Sequence, residues 1–388
     1  MPKVVVVGGG PAGSTCAARL AARGLDVTLL ERTAFPRTKV CGEYLNTAAQ
    51  EQLHEFGAGE TIAAESNRIE GIRLHVDETE LQLPFGAPAW AIARSRLDEL
   101  LLLHAKKAGA QTMTARVENV ERIGAHMQVG FRDASGFEHT LEADTVVGAD
   151  GLGSIVARKC DLASRAKRSG RFAVGGHFNG FGSLDGFIEM YVTRKAYFAI
   201  NPLSSELANV MIVVSESDLH RWTGAFDERM EQTALQLAAG KRGIGSVQRV
   251  GKRVAIGPLA HEVRKVAEEN VYVVGDAAGF VDPFTGQGVF LALRSAKLAA
   301  EAIEAELAHK ESAQNVRARY SAEHGKVFGA RARVAALVSF LIRTPWLTRR
   351  AARNLERSAE LRNSIMSVIA GQQPSEPLNS AMILRLVA

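Results

Sequence analysis

Cysteine is nearly missing: the 388 residues contain only Cys16, Cys41 and Cys160. Three scattered thiols cannot build a disulfide framework or a metal cage, and an odd count argues for free thiols, so a reducing, cytoplasmic compartment is expected and a metal is not. Long apolar runs are missing too. The longest late one, residues 334–342, is interrupted only by Ser339 and is about half the length that crosses a bilayer. The start, Met1-Pro2-Lys3 followed by four valines and three glycines, lacks a signal-peptide pattern. No membrane-spanning segment, internal repeat or low-complexity tract is expected.

What is present is a globular composition, 46% hydrophobic and 23% charged, which excludes disordered and fibrous classes. The length fits two packed domains. The net charge of +5 is unevenly placed. From Arg331 onward there are nine Arg, no Lys and three Glu, which leaves 38 basic against 39 acidic residues in the first 330. The basic character therefore belongs to the last 58 residues, and a nucleic-acid partner is not expected because no reading fold accompanies it.

Residues 4–7 predict a fully buried strand, 11–23 a helix with Pro11 in its first turn and Gly24 after its end, and 27–30 a second strand. This β-α-β opening implies a parallel sheet and an α/β fold. A Leu-rich helix is expected over 95–108, a three-stranded meander over 112–148 with turns at Gly124 and Ser135-Gly136, and a buried return strand at 145–147. Residues 171–214 change to short β-type stretches broken by Gly, Asn and Pro, the mark of a second, sheet-rich unit. A helix over 226–239, a strand at 271–274 and an amphipathic helix over 289–307 follow, the last with Leu291, Leu298, Ala302 and Ala305 on one face. Everything after Arg331 reads as helical.

Gly8, Gly10 and Gly13 spell G-x-G-x-x-G between the first strand and the helix opened by Pro11 and Ala12. These glycines allow a tight turn, let a pyrophosphate approach the backbone and bring helix and strand together, while the helix N-terminus faces the phosphates. Glu31, 18 residues after Gly13, stands at the end of the second strand, where a carboxylate can bind ribose hydroxyls. A ligand-free glycine-rich turn is the weaker alternative. A second glycine-rich segment runs over residues 275–288, GDAAGFVDPFTGQG. Asp276 can accept hydrogen bonds from a polyol chain, and the N–H groups around Gly286, Gln287, Gly288 and Val289 can face a group that becomes negative on reduction. No Lys or Arg occurs between Gly275 and Phe290, so any positive field there comes from backbone dipoles.

With these motifs the sequence resembles the flavoprotein monooxygenase superfamily with the p-hydroxybenzoate hydroxylase fold, and within it the geranylgeranyl reductase-like branch. The resemblance rests on Gly8 to Gly13 with Glu31-Arg32, on Arg94-Ser95-Arg96-Leu97-Asp98, on Asp150-Gly151-Leu152-Gly153-Ser154 and on the 275–288 segment, Pro283 included. It implies a Rossmann-like FAD-binding domain with a parallel sheet (1–65, 94–165 and 255–330), an inserted mixed or antiparallel substrate domain (66–93 and 166–254) and a basic helical tail (331–388). It also implies that Arg94 contacts the flavin diphosphate side, that Asp276 binds ribityl hydroxyls, and that Asp150 and Gly151 lie near the pyrophosphate and are linked to NAD(P)H use. The downstream arginine of that last motif stands here as Arg158. No second nicotinamide fold is visible, so NAD(P)H would bind transiently beside the flavin.

The segment Phe35-Pro36-Arg37-Thr38-Lys39-Val40-Cys41-Gly42-Glu43 resembles the reductase branch, where a cysteine before Gly-Glu lies near the isoalloxazine. Cys41 is therefore a candidate catalytic residue, with a small buried filler as the open alternative. Lipid reductases of this branch carry Y-x-W-x-F-P, whereas Tyr197-Phe198-Ala199-Ile200-Asn201-Pro202 keeps only the tyrosine and proline. Tyr197 is the second catalytic candidate. His177 and Tyr191 are polar candidates more consistent with filling a sheet face, and Trp90 is a candidate pocket floor. Halogenation is not expected: W-x-W-x-I-P is absent and no lysine lies between Glu43 and Trp90.

The leading expectation is an NAD(P)H-dependent, FAD-dependent monooxygenase that hydroxylates an apolar aromatic, polyketide or isoprenoid compound through a flavin C4a-hydroperoxide. The first alternative is a flavin-dependent reductase saturating carbon–carbon double bonds. The second is a binding or escort protein that has lost redox chemistry. For the basic tail, packing of 334–342 against the body with solvated arginines is favoured over peripheral contact with an anionic membrane.

Overall fold

The computed structural model describes residues 1–77, 79–164, 170–192, 197–217, 232, 247–259, 261–280, 286–309, 311–369 and 380–387. The helix expected over 226–239 and Pro283 lie outside them.

Sixteen strands among the described residues form two eight-stranded sheets. Five short strands build the centre of the first: β1 (Lys3–Val7), β2 (Asp26–Glu31), the start of β6 (Gln111–Ile123), β9 (Thr145–Gly148) and β16 (Val271–Val273). They pair in parallel in the order β16-β9-β1-β2-β6. β1 and β9 are Val-rich and buried on both faces, as parallel strands covered on both sides must be. The far half of β6 continues as an antiparallel meander with β7 (His126–Asp133) and β8 (Glu138–Ala143), while β15 (Ala267–Glu268) caps the other edge.

The second sheet combines β3 (Tyr44–Leu45), β4 (Asn67–Val76), β5 (Thr79–Ala91), β10 (Arg171–Asn179), β11 (Phe187–Val192), β12 (Tyr197–Pro202), β13 (Leu207–Ser215) and β14 (Gln248–Ile256). Its order is β14-β10-β13-β12-β11-β4-β5-β3, antiparallel except for β11 with β4. The long β4–β5 hairpin carries none of the turn signals that marked the meander. Tyr44 and Leu45 also join this sheet, opposite Ala91 and Trp90, so the segment that follows Cys41 runs directly from one sheet to the other.

Helix α1 (Pro11–Ala21) fills the space between the first sheet and α6 (Gly288–Leu307). Both helices are small-faced where they meet, with Ala12, Ala17 and Ala18 against Ala292, Ala296, Ala299 and Ala300 in one cluster. That close approach turns the deepest face of α6 away from the expected stripe. Leu291 and Ala302 are buried, but Leu298 and Ala305 are only half-buried, and Ala296 and Ala299 lie deepest. Helices α2 (Thr47–Glu55), α3 (Gly59–Ala63), α4 (Arg94–Lys107) and α5 (Ile155–Lys159) complete the first layer.

After α6 come α7 (Ala313–Arg343), α8 (Pro345–Arg357), α9 (Ala359–Ile369) and α10 (Ser380–Val387). They lie across the second sheet: Leu341, Leu347, Ala351, Leu355, Leu361 and Met366 join one core with Ile72, Leu81, Leu83, Ile188 and Met190. Burying this face stabilises the fold by roughly 1.5–3 kcal/mol per large apolar side chain. No helix among the described residues is long and apolar enough to cross a membrane.

Candidate active site

The loop between β1 and α1 is shaped by close contacts that only glycine permits. A Cβ on Gly13 would lie 1.8 Å from the Gly8 carbonyl oxygen, and one on Gly8, whose φ is +104°, would lie 2.4 Å from the Ala149 carbonyl oxygen. These two glycines lock helix, loop and the β9 end together. Gly10 differs, because its Cβ would meet only Arg37 Nη2, at 3.6 Å. It leaves backbone open at the N-cap of α1, where Pro11 occupies the first position and Ala12 packs beneath Gly275.

Glu31 ends β2 and accepts hydrogen bonds from Gly9 N–H at 2.8 Å and Thr33 N–H at 3.1 Å. Arg32 points to solvent. Arg37, deeply buried, reaches Glu31 at 3.5 Å and Asp98 at 3.2 Å through Nη2 and lies over the Phe35 ring. Its Nε and Nη1 are buried without a partner. Asp98, fully buried in the first turns of α4, also holds Arg94 in a two-pronged pair at 2.7 and 2.9 Å. One carboxylate thus fixes two guanidinium groups, and Asp98 keeps Arg94 charged despite its burial. Burial lowers both Arg37 and Lys39, which repel each other here.

Asp276 sits in the first turn after β16, and burial raises its carboxyl while Arg94, His261 and Lys39 pull the other way. Its carboxylate accepts no hydrogen bond among the described residues. Asp150 is already engaged: Ser154 Oγ donates to it at 2.5 Å and Ile155 N–H at 2.6 Å, so it braces the start of α5, whose N-cap Ser154 accepts from Ala157 N–H. Gly151 next to it takes φ +74°, and Arg158 donates to the Gly153 carbonyl. At the start of α6, Gly286 packs against the Tyr44 ring, Gln287 is the N-cap residue, Gly288 faces open space and Val289 is buried. Among the described residues, no acidic side chain or side-chain cap serves that helix start.

These groups test whether FAD fits. The uncapped α6 N-terminus, the open Gly10 backbone, the two orphaned Arg37 nitrogens and the unbonded Asp276 carboxylate match a ligand carrying a diphosphate, a polyol and a ring that gains negative charge. Among the described residues, Glu31, Arg37, Arg94 and Asp276 would hold it.

Cys41-Gly42-Glu43 bridges this half to the second sheet. Asn209 of β13 donates to the Cys41 carbonyl at 2.7 Å, and Asn201 of β12 donates to the Gly42 and Glu43 carbonyls at 2.9 and 3.0 Å. Glu43, at φ +56° and buried, accepts from Arg94 N–H at 2.8 Å and pairs with His177 Nε2 of β10 at 2.7 Å. The Cys41 thiol accepts from Glu43 N–H at 3.3 Å; burial raises it above the usual thiol range while the positive charge of Arg94 opposes that shift. It is therefore held as a neutral thiol. Tyr197 is buried beside Val40, Met211 and Ile342, with Arg171 over its ring at 5.3 Å.

The other cysteines differ. Cys16 is fully buried, its thiol pushed up to about 12, and Cys160 lies beside α5 with its thiol pushed up to about 11. The Trp90 ring packs edge-on against His54 of α2 at 5.5 Å and is half-buried beside the α2–α4 cluster. Residues that sequence reasoning left without roles are Arg37, Asp98, Glu43, Asn201 and Asn209. Arg37 and Glu43 stood inside the quoted 35–43 segment, and Asp98 inside the 94–98 motif. Asn201 stood inside the quoted 197–202 segment, whereas Asn209 carried no signal, since only strand pairing brings it over Cys41.

A dinucleotide-binding α/β fold with this loop set defines a flavoprotein, and comparison with known proteins specifies it. The chain belongs to the family described as FAD binding domain, which matches residues 1–333, and it is an FAD-dependent oxidoreductase. It is 27% identical over 351 residues to a menaquinone reductase of Mycobacterium tuberculosis, covering 87% of this chain and 84% of that protein. It is 29% identical over 318 residues to digeranylgeranylglycerophospholipid reductase 2 of Methanothermobacter thermautotrophicus, covering 78% of each. Among solved structures, the flavin-dependent halogenase CmlS superimposes with a TM-score of 0.76 at 26% identity, over 85% of this chain and 62% of that longer one. The relatives are thus divided between reductases and halogenases.

Proposed function

We propose that this protein is a flavin-dependent reductase that saturates a carbon–carbon double bond of an apolar, isoprenoid-like substrate. The observation that carries this reading is the placement of Cys41: its carbonyl is held by Asn209 of the second sheet, its thiol accepts from Glu43 N–H, and Glu43 in turn accepts from Arg94 N–H. The two reductase relatives support it. Among the described residues, none in this site favours the expected hydroxylase over reduction.

When bound, reduced FAD would supply a hydride equivalent for one alkene carbon, with NAD(P)H as the electron source. The chain's own residues do the rest. Glu31, Arg37 and Asp276 bind and orient the cofactor, and Asp98 holds the two arginines in register. Cys41 gives its proton to the second carbon as the carbon–hydrogen bond forms, and Arg94 stabilises the thiolate left behind until solvent reprotonates it. Ala199 and Met190 of the second sheet, under α8 and α9, supply an apolar wall that excludes water. Tyr197 borders that wall. A reducing cytoplasmic compartment suits the free thiol.

The test is product mass. Purified holoprotein is given NADPH and geranylgeraniol, with and without oxygen. A product two hydrogens heavier without oxygen supports reduction. One added oxygen atom, formed only in air, overturns it in favour of hydroxylation, and an unchanged substrate counts against both.

A further inference from the structure

The terminal helices join the two halves of the expected basic tail in one object. On α8 the apolar residues Leu347, Ala351, Ala352 and Leu355 are buried against the second sheet. The opposite stripe is Trp346, Arg349, Arg350, Arg353 and Arg357, spaced as neighbours along one helix face and all exposed. Packing and a clean polar face therefore coexist, because the helix turns its apolar side inward and its arginines outward.

Three observations distinguish this surface from an ordinary solvated one. Arg350, Arg353 and Arg357 pair with no carboxylate among the described residues, whereas Arg349 is tied to Asp77 at 2.5 Å and Arg385 to Glu360 at 2.9 Å. Trp346 is 62% exposed in the first turn of α8, and Phe340, 58% exposed, lies just across the bend whose Thr344 hydroxyl donates to the Phe340 carbonyl. Leu384, 65% exposed, projects from α10, whose carbonyls at Arg385 and Leu386 accept from Asn354 of α8. Exposed aromatics beside unpaired arginines are the chemistry of the bilayer interface: arginines meet anionic headgroups and the large apolar side chains enter the acyl boundary.

The position also matters. The inner faces of these helices cover the face of the second sheet that carries Met190 and Ala199, and the Ile369 carbonyl at the end of α9 accepts from Gln287 at the start of α6, which Arg331 of α7 also bonds at 3.2 Å. The surface and the flavin end of the site are therefore parts of one connected cover.

We infer that the outer face of α8, with Phe340 and Leu384 beside it, is a docking surface for an anionic lipid bilayer, and that the apolar substrate reaches the site from that bilayer. The second clause rests on the reductase reading; the first does not.

The experiment is co-sedimentation of the full-length holoprotein with vesicles of pure phosphatidylcholine and of phosphatidylcholine with 30% phosphatidylglycerol (about 0.1 M salt against about 0.5 M). Binding to the anionic vesicles, weakened by salt, is expected. The double variant Arg350→Glu/Arg353→Glu should lose at least about tenfold in vesicle affinity, and Trp346→Ala should weaken binding with little change in salt dependence. Flavin content and circular dichroism check that both variants are folded. Absent binding by the wild type, equal binding by the charge-reversed variant, or retention on duplex DNA without vesicle binding overturns the docking surface. Saturation of detergent-dispersed geranylgeraniol distinguishes the two failures: product without vesicle binding leaves the reductase reading standing, and vesicle binding without product removes that reading alone.

Discussion

Glu43 and His177, 134 residues apart in sequence, meet at 2.7 Å between Oε2 and Nε2. This contact ties the segment carrying Cys41 to β10 of the second sheet, and Arg94 N–H holds the other carboxylate oxygen. The hydrogen bond to Glu43 raises His177 above its ordinary 6.5, with burial opposing.

A raised folded-state value means that the ion pair's stabilisation is complete below about pH 6.5 and is lost as pH rises through the raised value. Glu43→Gln should therefore lower the His177 titration midpoint, followed by proton NMR. The thermal stability gap between wild type and variant should be widest near pH 6 and narrow toward alkaline pH. A gap that widens with pH would contradict the pairing.

The glycine loop predicts two different failures. Gly13→Ala places a methyl group on the Gly8 carbonyl and should prevent correct folding, seen as lost cooperative melting by circular dichroism. Gly10→Ala meets no protein atom closer than 3.6 Å, so the apoprotein should fold normally, while FAD affinity measured by fluorescence titration falls at least about tenfold because the methyl occupies the pyrophosphate approach.

Arg37→Met should lower FAD affinity and cost about 3 kcal/mol in denaturant-measured stability, since it removes one of two cations facing buried Asp98 and the partner of Glu31. Arg37→Lys should restore the charge but not the cofactor affinity, because an ammonium cannot reproduce the orphaned guanidinium donors.

How much of this was legible in the sequence depends on range. The β-α-β opening, the meander turning at Gly124 and Gly136, and the α6 helix are local patterns, and the strands and helices stand within a residue or two of expectation. The β4–β5 hairpin was not legible as strands. Residues 67–91 mix Pro, Gly and charge, and they pair because Ile72, Leu81 and Leu83 find the terminal helices as a cover. In the site, the glycine and acidic motifs mark their own loops. The Cys41 clamp does not announce itself, because Asn201, Asn209 and His177 come from three strands whose register no local pattern specifies. Likewise the α6 stripe is turned by its contact with the small residues of α1, a tertiary effect on an amphipathic pattern.

Cys41→Ser keeps the size of the side chain and its acceptance from Glu43 N–H, so flavin content and melting temperature should hold. Product formation should fall by about 100-fold, the scale of a lost general acid, as read by the yield of saturated product per turnover of NADPH. Unchanged yield would make Cys41 a packing residue.

The most direct test of the central claim is anaerobic reoxidation. Holoprotein reduced by light or dithionite is mixed with geranylgeraniol in the absence of oxygen and nicotinamide, and absorbance is followed near the oxidised-flavin maximum. Reductase chemistry predicts that the yellow absorbance returns with one equivalent of saturated product. Absorbance that stays bleached until oxygen is admitted would contradict it.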